Sequence, residues 1–359
     1  MKIAVGLSGG VDSSVAALLL KQAGHDVVGV TMKLWREGRW RGGARDACFG
    51  PGEALDIASA AAFADRIGIP YRVFDCAEAY DREILAYFRE THLAGQTPNP
   101  CVFCNARLKF GLLPDLAARA GLAFDKFATG HYARIAFRSG RHALLRARDR
   151  RKDQSYFLHR LSQSQLARQL FPLGDLEKTE VRRLAAAAGL DAAEKPDSQD
   201  FYSGDKDELI GLPDRPGDIV DAAGRPLGRH RGFWHYTVGQ RKGLGIATGE
   251  PLYVLRVDAC RNQVVVGPKS ALAVTAFFVA NLHWCALPPT PSPLPCRVKI
   301  RSTGEPAGPA LLFPSPDGTA ARCEIPAGLS GVTPGQSAVF YAACDDALLC
   351  GGPIAPSLP

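Results

Sequence analysis

The first half of the chain alternates between two spacings of apolar residues. Short apolar or β-branched runs predict strands at 2–7, 26–34, 71–75 and 124–129. Longer segments with helical spacing predict helices at 13–22, 53–67 and 77–90. Strands that alternate with helices in this way form a parallel sheet with helices on both faces. We therefore predict an N-terminal doubly wound α/β domain whose ligands bind at the carboxyl ends of its strands.

The spacing changes in the second half of the chain. A helix is predicted at 176–188, with Asp175 as its N-cap and Gly189 just past its end. From Gly211 onward the chain is rich in Gly and Pro with short strands. After a proline-rich run at 288–293, further strands are typical of a small β-barrel; they are predicted at 297–301, 321–325 and 337–341.

These changes predict three domains. The doubly wound domain covers 1–205, a small central domain covers 206–275, and a C-terminal β-barrel domain covers 276–359. The total of 359 residues suits two or three domains.

Composition narrows the class of protein. The hydrophobic fraction is 46% and the charged fraction 22%, which are ordinary globular values. No apolar run approaches the ~20 residues of a bilayer-spanning helix, and the N-terminus does not resemble a signal peptide. We expect a cytoplasmic protein with no membrane partner. Ten cysteines in a reducing compartment indicate metal binding or redox chemistry rather than a disulfide scaffold.

Positive charge is concentrated in one segment. The formal net charge is +7, which favours a polyanionic partner. Residues 134–152, here called the basic strip, carry eight Lys and Arg residues against Asp149 alone. Two interpretations are open: a solvated loop, or a strip that contacts a phosphate backbone.

A candidate phosphate-binding loop follows the first predicted strand. It consists of Gly6, Leu7, Ser8, Gly9, Gly10, Val11, Asp12, Ser13 and Ser14. Adjacent glycines let the backbone approach a phosphate, and the following helix presents free N–H groups and the positive end of its dipole. The loop lacks the lysine of a Walker A sequence. Asp12 would repel a phosphate unless it held a cation, so the sequence suggests Mg²⁺ at this position.

The segment SGGVDSS at 8–14 resembles the pyrophosphate (PP) loop of the ATP-pyrophosphatase group, whose members activate a carbonyl oxygen by adenylation. Further segments resemble motifs of the tRNA-specific 2-thiouridylases. They are TPNPCVFCN at 97–105, KFG at 109–111, ATGHYAR at 128–134, KDQSYFL at 152–158, YTVGQRKGLG at 236–245 and PGQSAVFY at 334–341. The resemblance covers nearly the whole chain, with the motifs in the family's order.

The resemblance implies an activity. The family replaces the C2 oxygen of the wobble uridine in tRNA with sulfur. ATP adenylates O2, and a sulfur nucleophile attacks C2 with release of AMP and pyrophosphate. The implied cofactors are ATP and Mg²⁺. The implied partners are tRNA and a persulfide or sulfide donor, either a cysteine desulfurase relay or inorganic sulfide.

The resemblance also implies roles for particular residues. Gly6 to Ser13 would grip the ATP phosphates, and Met32 and Gly130 would line the adenine and ribose site. Cys104 matches the family's nucleophile. His131 is expected to be a structural histidine near the nucleotide. Residues that would face the target base are Asn99, Pro100 and Cys101, and those that would contact tRNA are Lys152, Asp153, Gln154, Arg301 and Ser302.

The chain departs from the family pattern at two positions. Cys101 stands where many relatives have an aspartate. Many relatives also carry a second, persulfide-bearing cysteine in a DSQ-x-x-C motif. The corresponding segment, 197–204, has Tyr202 at or near that position. A phenol cannot carry a sulfane sulfur, so the usual two-cysteine relay cannot be transferred to this chain.

Two sulfur routes remain open. In the favoured one, Cys101, Cys104 and a third thiolate hold a [4Fe–4S] cluster that binds an exogenous sulfide. Cys76, at a strand end, is the preferred third ligand over Cys48, which lies in a loop whose position cannot be inferred from the sequence. In the other route, Cys104 carries a persulfide and Cys101 resolves it as a disulfide.

Two other functions are compatible with parts of the sequence. One is another adenylating enzyme of the same group, such as an amidotransferase-type synthetase, which would not account for the motif at 97–105. The other is a non-catalytic protein that binds ATP and RNA, which need not retain Asp12 and Cys104.

Overall fold

The computed structural model of the protein describes residues 1–43, 47–190, 200–246 and 249–356. The motif residues Asp197, Ser198 and Gln199 lie outside this part of the chain. The described chain divides into two compact units. The first comprises 1–85, 100–209 and 346–348, and the second comprises the remaining residues, 86–99, 210–345 and 349 onward.

The first unit contains nine of the strands. They are β1 (Lys2–Gly6), β2 (Asp26–Lys33), β3 (Ala47–Phe49), β4 (Tyr71–Asp75), β5 (Lys126–Thr129), β6 (Ala133–Arg138), β7 (Arg141–Arg146), β8 (Gln169–Leu170) and β9 (Asp200–Tyr202). The α-helices of the described chain are α1 (Val11–Gln22), α2 (Glu53–Arg66), α3 (Ala77–Tyr80), α4 (Ala86–Leu93), α5 (Pro100–Phe103), α6 (Leu113–Arg119), α7 (Ser155–Leu158), α8 (Gln163–Arg168), α9 (Lys178–Ala187) and α10 (Lys206–Ile210). Helix α4 belongs to the second unit.

A five-stranded parallel sheet organises the first unit. Its strand order is β4-β2-β1-β5-β8, so β1 lies at the centre with β2 and β5 beside it. The register pairs Gly6 with Val30 on one side and with Thr129 on the other. The carboxyl ends of β2, β1 and β5 therefore lie side by side, which is where a parallel sheet binds its ligand.

Helices cover both faces of this sheet, as the alternating pattern predicts. On one face, Ile3 and Val5 of β1 share a buried cluster with Val15 of α1, Phe63 of α2 and Val181 of α9. Strand side chains alternate between faces. Accordingly, Phe127 of β5 points away from that cluster and packs edge to face against Phe110, with ring centroids 6.2 Å apart.

Two predicted helices differ from those in the structure. The helix expected at 77–90 is α3, a π-helical stretch at Asp81–Leu85, and α4. The helix expected at 176–188 begins later, as α9, and its N-cap is Glu177 rather than Asp175. Glu177 forms a capping box with Glu180, in which each side chain accepts the other's backbone N–H. Two carboxylates also suit the positive end of the helix dipole, which explains why this start is preferred.

The second unit contains two larger sheets. A four-stranded sheet has the order β11-β10-β13-β12, formed by β10 (Gly217–Val220), β11 (Pro226–His230), β12 (Tyr253–Asp258) and β13 (Gln263–Gly267). A seven-stranded sheet has the order β14-β18-β17-β16-β19-β20-β15, formed by β14 (Ala273–Val279), β15 (His283–Trp284), β16 (Leu294–Lys299), β17 (Ala307–Pro314), β18 (Ala321–Ser330), β19 (Ser337–Ala342) and β20 (Leu348–Pro353).

The seven-stranded sheet has its own apolar core. Buried side chains from several strands line it, among them Val298, Leu312 and Phe340. Trp284 also belongs to this core, and its indole N–H donates to the Gly318 carbonyl at 2.8 Å, which satisfies its buried polar atom. The predicted C-terminal β-rich domain is thus an antiparallel sheet curled around one core. In the described part of the chain, no helix is long and apolar enough to cross a lipid bilayer.

Candidate active site

The phosphate-binding loop lies between β1 and α1, as predicted. Gly10 has an extended backbone, with φ −95° and ψ 163°, and directly precedes α1. Gly9 has φ +72°, and a Cβ there would lie 2.4 Å from the Asp56 carbonyl oxygen. Only glycine fits that conformation and spacing. The first turn of α1 has N–H groups without intrahelical acceptors, and these face the loop as an anion site.

Hydroxyl groups shape the loop from within. The Ser8 N–H donates to Ser13 Oγ at 3.1 Å, and Ser13 Oγ donates to the Gly10 carbonyl at 3.1 Å. Ser14 Oγ donates to the same carbonyl at 3.0 Å. The hydroxyls of Ser13 and Ser14 are buried and used internally, whereas Ser8 is exposed. Among these three serines, Ser8 is therefore the one best placed to contact a bound phosphate.

The neighbouring strands fix the start of the loop. The Leu7 N–H donates to the Val30 carbonyl of β2 at 2.9 Å. The Leu7 carbonyl accepts the buried Thr31 hydroxyl at 2.6 Å, and Tyr71 of β4 donates its own hydroxyl to Thr31 at 2.8 Å. Met32, the next residue on β2, is half-buried. The predicted adenine-site residue therefore stands at the same sheet edge as the loop.

Gly130 brings the end of β5 against the first turn of α1. A Cβ at this position would lie 2.6 Å from both the Asp12 carbonyl carbon and the Ser13 nitrogen. Any other residue would push helix and strand apart, so glycine is required by close backbone approach. The structure thus brings Met32, the loop and Gly130 to three adjacent strand ends.

The Asp12 carboxylate is bound by a lysine that the sequence analysis did not identify. Lys178 Nζ lies 2.8 Å from Oδ1 and 2.7 Å from Oδ2 of Asp12. The Tyr132 hydroxyl donates to Oδ1 at 2.9 Å. Lys178 is the first residue of α9, and its side chain is only 8% exposed. A buried lysine at the positive end of a helix is unfavourable unless a carboxylate neutralises it. The position of Lys178 at the start of a predicted helix was therefore the feature of the sequence that could have indicated a carboxylate partner.

This pairing bears on the expected Mg²⁺ site. Both oxygens of Asp12 accept from the Lys178 ammonium group, so a cationic side chain already occupies the carboxylate and the pair carries no net charge. Within the described ranges, no group of three or more His, Cys, Asp or Glu side chains is arranged to hold a metal ion. With both oxygens bonded to Lys178, Asp12 does not fit the role of a preformed Mg²⁺ ligand. We therefore derive no reaction step that involves the metal.

Cys101 and Cys104 lie on consecutive helical segments. Cys101 is in α5, and Cys104 begins a π-helical segment, Cys104–Leu112. Residues three apart share a helix face, so both thiols are presented to the same side. Burial raises the pKa of Cys104 to about 11, while Lys109 opposes that shift by favouring the thiolate. Lys109 is five residues after Cys104, which is about one turn of the wider π-helix. The π-helical geometry therefore places the two residues on the same side.

Cys76 does not suit the role of third cluster ligand. It lies between β4 and α3, where the sequence placed it, and is 2% exposed. Burial, with smaller contributions from Asp75 and Cys104, raises the pKa of Cys76 to about 12. The thiol is therefore protonated and packed. Among the described residues no preformed group of three such ligands is present, and the burial of Cys76 disfavours it as the third ligand. The [4Fe–4S] cluster, for which Cys48 is the other third ligand considered, stays a prediction, and we derive no step through it.

Tyr202 is a buried and hydrogen-bonded phenol. It is 2% exposed, and its hydroxyl donates to Glu208 Oε2 at 2.6 Å. The strand that carries it, β9, pairs in parallel with β3, where Phe49 is opposite Tyr202. Cys48 is the residue before Phe49 and is exposed. The sequence did not reveal this pairing because β3 and β9 are short and far apart in the chain.

Asn99 and Pro100, predicted to face the target base, are both buried. The Asn99 N–H donates to the Tyr87 hydroxyl at 3.1 Å within the second unit. The carbonyl of the preceding residue, Pro98, accepts a hydrogen bond from the Gln336 side-chain amide at 3.0 Å. Pro100 begins α5, a position where its missing N–H costs nothing. These contacts hold the backbone immediately before Cys101.

Asp153 has an internal role. Its side chain is fully buried, and Oδ2 accepts from Arg146 Nε at 3.3 Å and from the Ser155 hydroxyl at 3.0 Å. Oδ1 accepts the backbone N–H of Ala147 at 3.1 Å. Arg146 is 2% exposed, so the two charges form a buried ion pair. This geometry is at odds with the expected direct contact of Asp153 with tRNA, because the carboxylate has no surface to offer.

The neighbours of Asp153 differ from it. Gln154 Oε1 accepts the Tyr132 N–H at 2.9 Å, which links the KDQ motif to the residue that contacts Asp12. Lys152 is half-buried. Arg301 is exposed and Ser302 half-buried, immediately after β16. The Arg301 guanidinium lies 3.7 Å from the position that a Cβ on Gly239 would occupy. Within the second unit, Arg301, a predicted tRNA contact, therefore neighbours the YTVGQRKGLG motif.

The basic strip is neither a plain loop nor a free row of charges. Most of it forms the β6–β7 hairpin. Asp346 accepts from Arg134 at 3.1 Å and from Arg150 at 2.5 Å. Arg148 lies 3.9 Å from both Glu177 and Glu180. Internal carboxylates thus compensate several of the arginines that the sequence analysis considered for phosphate contact.

His131 contacts residues of the first unit beside the end of β5. Its Nδ1 lies 2.8 Å from the Thr129 hydroxyl, and its ring packs near Phe110 with centroids 5.4 Å apart. Burial, with a smaller contribution from Lys109, lowers the pKa of His131 well below its usual value. The imidazole is therefore neutral, and it supports the end of β5 beside Gly130.

Comparison with known proteins gives three family matches along the chain. Residues 1–202 match the family described as tRNA methyl transferase HUP domain. Residues 210–268 match its PRC-barrel domain, and residues 274–354 match the family described as aminomethyltransferase beta-barrel domain. Along the chain, the first match contains the five-stranded parallel sheet, the second the four-stranded sheet and the third most of the seven-stranded sheet.

Individual relatives are similar over nearly their whole length. A protein named tRNA-specific 2-thiouridylase MnmA from Endomicrobium trichonymphae is 45% identical, covering 99% of both chains. The protein of the same name from Azorhizobium caulinodans is 46% identical, covering 98% of this chain and 92% of that one. Among solved structures, a 4-thiouridine synthetase–RNA complex with bound ATP is 17% identical over 58% of this chain and 45% of that one, with a TM-score of 0.34.

The buried ion pair generates a stability prediction. Replacing Asp153 with Asn keeps the side-chain volume but leaves the Arg146 charge buried and uncompensated. Loss of one partner of a buried pair costs about 3–5 kcal/mol. We expect Asp153→Asn to lower the free energy of unfolding by that amount in urea titrations followed by circular dichroism. The control Asp175→Asn, whose side chain is 80% exposed, should leave it nearly unchanged. Equal stabilities for the two variants would contradict the assignment.

Proposed function

The chain belongs to the tRNA-specific 2-thiouridylase family, and we propose that it replaces the C2 oxygen of the wobble uridine in tRNA with sulfur, consuming ATP and releasing AMP and pyrophosphate. The observation that carries this proposal is the phosphate loop at the end of β1, with the Asp12–Lys178 pair beside it. A loop of this kind suits a reaction whose leaving group is pyrophosphate.

The chemistry explains why ATP is needed. The C2 carbonyl of uracil is a poor electrophile, because its oxygen would have to leave as hydroxide. Adenylation of O2 converts that oxygen into part of AMP, a far better leaving group. A sulfur nucleophile can then attack C2 and displace AMP. The protein's contribution is to hold the phosphates, the base and the sulfur in line.

The phosphate site is supported by three features of this chain. The N-terminal turn of α1 offers backbone N–H groups, and Gly9 and Gly10 allow a phosphate close approach. Ser8 is exposed beside them. Lys178 carries a buried positive charge that Asp12 holds in place. As the α–β phosphate bond breaks, negative charge grows on pyrophosphate, and a fixed ammonium group stabilises it. Met32 and Gly130 are the proposed adenine and ribose contacts.

Cys104 is the proposed nucleophile of sulfur transfer. It lies on the same helix face as Cys101, directly after the Asn99 and Pro100 backbone. Burial raises the pKa of Cys104, and the positive charge of Lys109 opposes this shift and favours the thiolate. Target-base contact is proposed for Asn99, Pro100 and Cys101.

For tRNA, we propose surface contacts at Lys152, Gln154, Arg301 and Ser302, with the buried Asp153 supporting the segment that carries Lys152 and Gln154. We propose three domains, at 1–205, 206–275 and 276–359, with catalysis in the first and with tRNA contacts from the central domain in addition to those just named. The sulfur donor is a persulfide or sulfide source. Cytoplasmic location follows from the substrate, since tRNA modification and free thiols both belong to a reducing compartment.

A direct test uses unmodified tRNA transcripts. Purified protein, ATP, Mg²⁺ and a persulfide donor should yield 2-thiouridine by nucleoside mass spectrometry, with pyrophosphate released in equal amount. Transcripts whose wobble base is cytidine serve as the matched control and should yield neither product. Pyrophosphate release that does not depend on a wobble uridine would overturn the proposed function.

The Asp12–Lys178 pair predicts a coupled loss. Lys178→Met removes the charge and leaves Asp12 facing the phosphates, so pyrophosphate release should fall by roughly 100-fold. Asp12→Asn should cause a similar loss because Lys178 is no longer held. If the two act as a pair, the double variant should lose far less than the product of the single effects. The exposed Lys269→Met is the control. Multiplicative effects would contradict the pairing.

Arg301 predicts a change in salt dependence. An arginine that contacts one phosphate contributes about 0.7–0.9 to the slope of log K against log salt. Arg301→Ala should therefore flatten that slope by the same amount in filter-binding titrations with tRNA. Arg322 is also exposed but is paired with Glu324, so Arg322→Ala should leave the slope unchanged. A slope unaffected by Arg301→Ala would exclude the contact.

A further inference from the structure

Sulfur transfer from a persulfide requires two thiols. The sulfur that attacks C2 remains bonded to the cysteine that carried it, so the product stays attached to the protein. A second thiolate must attack the carrier to release it, and the two cysteines end as a disulfide. Tyr202 cannot be one of the two, because it is a buried phenol bonded to Glu208. This inference rests on the proposed function and concerns which residue carries the sulfur.

Cys48 is held next to the position of Tyr202. Strand β3 pairs in parallel with β9, with Ala47 opposite Asp200 and Phe49 opposite Tyr202. Cys48 lies between those two pairs, so its Cα is about 6 Å from that of Tyr202, given the usual strand spacing and rise. The Ser203 N–H donates to the Phe49 carbonyl at 3.3 Å and extends the pairing. The placement of Cys48 is thus fixed by backbone hydrogen bonds.

Side-chain packing holds β3 in one orientation. Phe49 is fully buried, with its ring 4.8 Å from that of Tyr80 and 5.0 Å from that of Trp35. Successive side chains of a strand point to opposite faces. With Phe49 anchored inward, Cys48 points outward, and it is exposed. A carrier that takes sulfur from another protein needs this accessibility.

Cys48 is also an electrostatic neighbour of Cys104. A Cys48 thiolate contributes to raising the pKa of Cys104, and both thiols act in the same way on the buried Tyr80. Three of the ten cysteines are exposed: Cys48, Cys260 and Cys344. The latter two belong to the second unit. Cys76 is close to Cys104 but buried. Cys48 is the exposed cysteine of the first unit, and it interacts electrostatically with Cys104.

We propose that Cys48 carries the persulfide sulfur in this chain and that Cys104 releases the product. An external persulfide donor transfers its terminal sulfur to the Cys48 thiolate and leaves as a thiolate. The Cys48 persulfide attacks C2 of the adenylated uridine, forming an S–C2 bond as the C2–O bond to AMP breaks. The Cys104 thiolate then attacks Cys48 Sγ, breaking the bond between the two sulfurs.

The electrons balance over this sequence. The transferred sulfur gains two electrons and becomes the thiocarbonyl of 2-thiouridine. Cys48 and Cys104 supply them and form a disulfide. A low-molecular-weight or protein dithiol then reduces that disulfide, giving two electrons and two protons to restore both thiols. Cys101 remains a thiol throughout and faces the base.

The experiment is a single turnover with polysulfide as donor, ATP, Mg²⁺ and tRNA transcript, without reductant. It compares wild type, Cys48→Ser, Cys101→Ser and the control Cys260→Ser. Pyrophosphate release, 2-thiouridine and non-reduced peptide maps are measured on the same samples. We expect Cys48→Ser to release pyrophosphate but to form at least ~50-fold less 2-thiouridine, since it has no carrier. Wild type and Cys260→Ser should both show a Cys48–Cys104 disulfide after turnover.

Two results would overturn the proposal. One is 2-thiouridine formation by Cys48→Ser at the wild-type rate. The other is a wild-type disulfide between Cys101 and Cys104, which would assign the second thiol to Cys101. Failure of the proposed function looks different, since wild type would then release no pyrophosphate that depends on the wobble uridine. Because Cys48 is exposed, Cys48→Ser is expected to fold, and its thermal unfolding curve checks this directly.

Discussion

The ion pair between Asp12 and Lys178 joins the two helices on which the phosphate site depends. Asp12 is in the first turn of α1, and Lys178 begins α9. Each charge would be unfavourable without the other. The aspartate would repel a bound phosphate, and the lysine lies at the positive end of its own helix dipole. With Nζ between both carboxylate oxygens, each removes the other's penalty. The Tyr132 hydroxyl also donates to Asp12, and the Tyr132 backbone N–H donates to Gln154. The ion pair is thus part of a network that joins residues from four distant segments.

The parts of the fold that could be predicted are those set by local sequence. The strands at 2–7, 26–34 and 71–75 and the phosphate loop follow from apolar runs and from glycines whose conformation other residues cannot adopt. Gly130 illustrates the limit of such reasoning. Its motif is recognisable, but the cause of its presence, a backbone approach to Asp12 from another segment, is visible only in three dimensions.

What could not be predicted involves partners far apart in the chain. From the sequence, Arg134 and Arg150 look like free positive charges, but in the structure both pair with Asp346, which is 212 and 196 residues later in the chain. Asp153 reads as a surface residue of a tRNA-binding motif until Arg146 is seen buried against it. The pairing of β3 with β9 has the same character, since two three-residue strands carry little signal of their own. Charge along a sequence therefore overestimates the charge available to RNA.

Burial separates the cysteines into those held as thiols and those open to reaction. Apolar surroundings hold Cys76, Cys296 and Cys323 as protonated thiols, with the pKa of each raised to about 12. Such thiols are poor nucleophiles and are protected from oxidation. Burial also raises the pKa of Cys104, to about 11, and Lys109 opposes that shift, so cationic groups near Cys104 favour its thiolate over the protonated thiol.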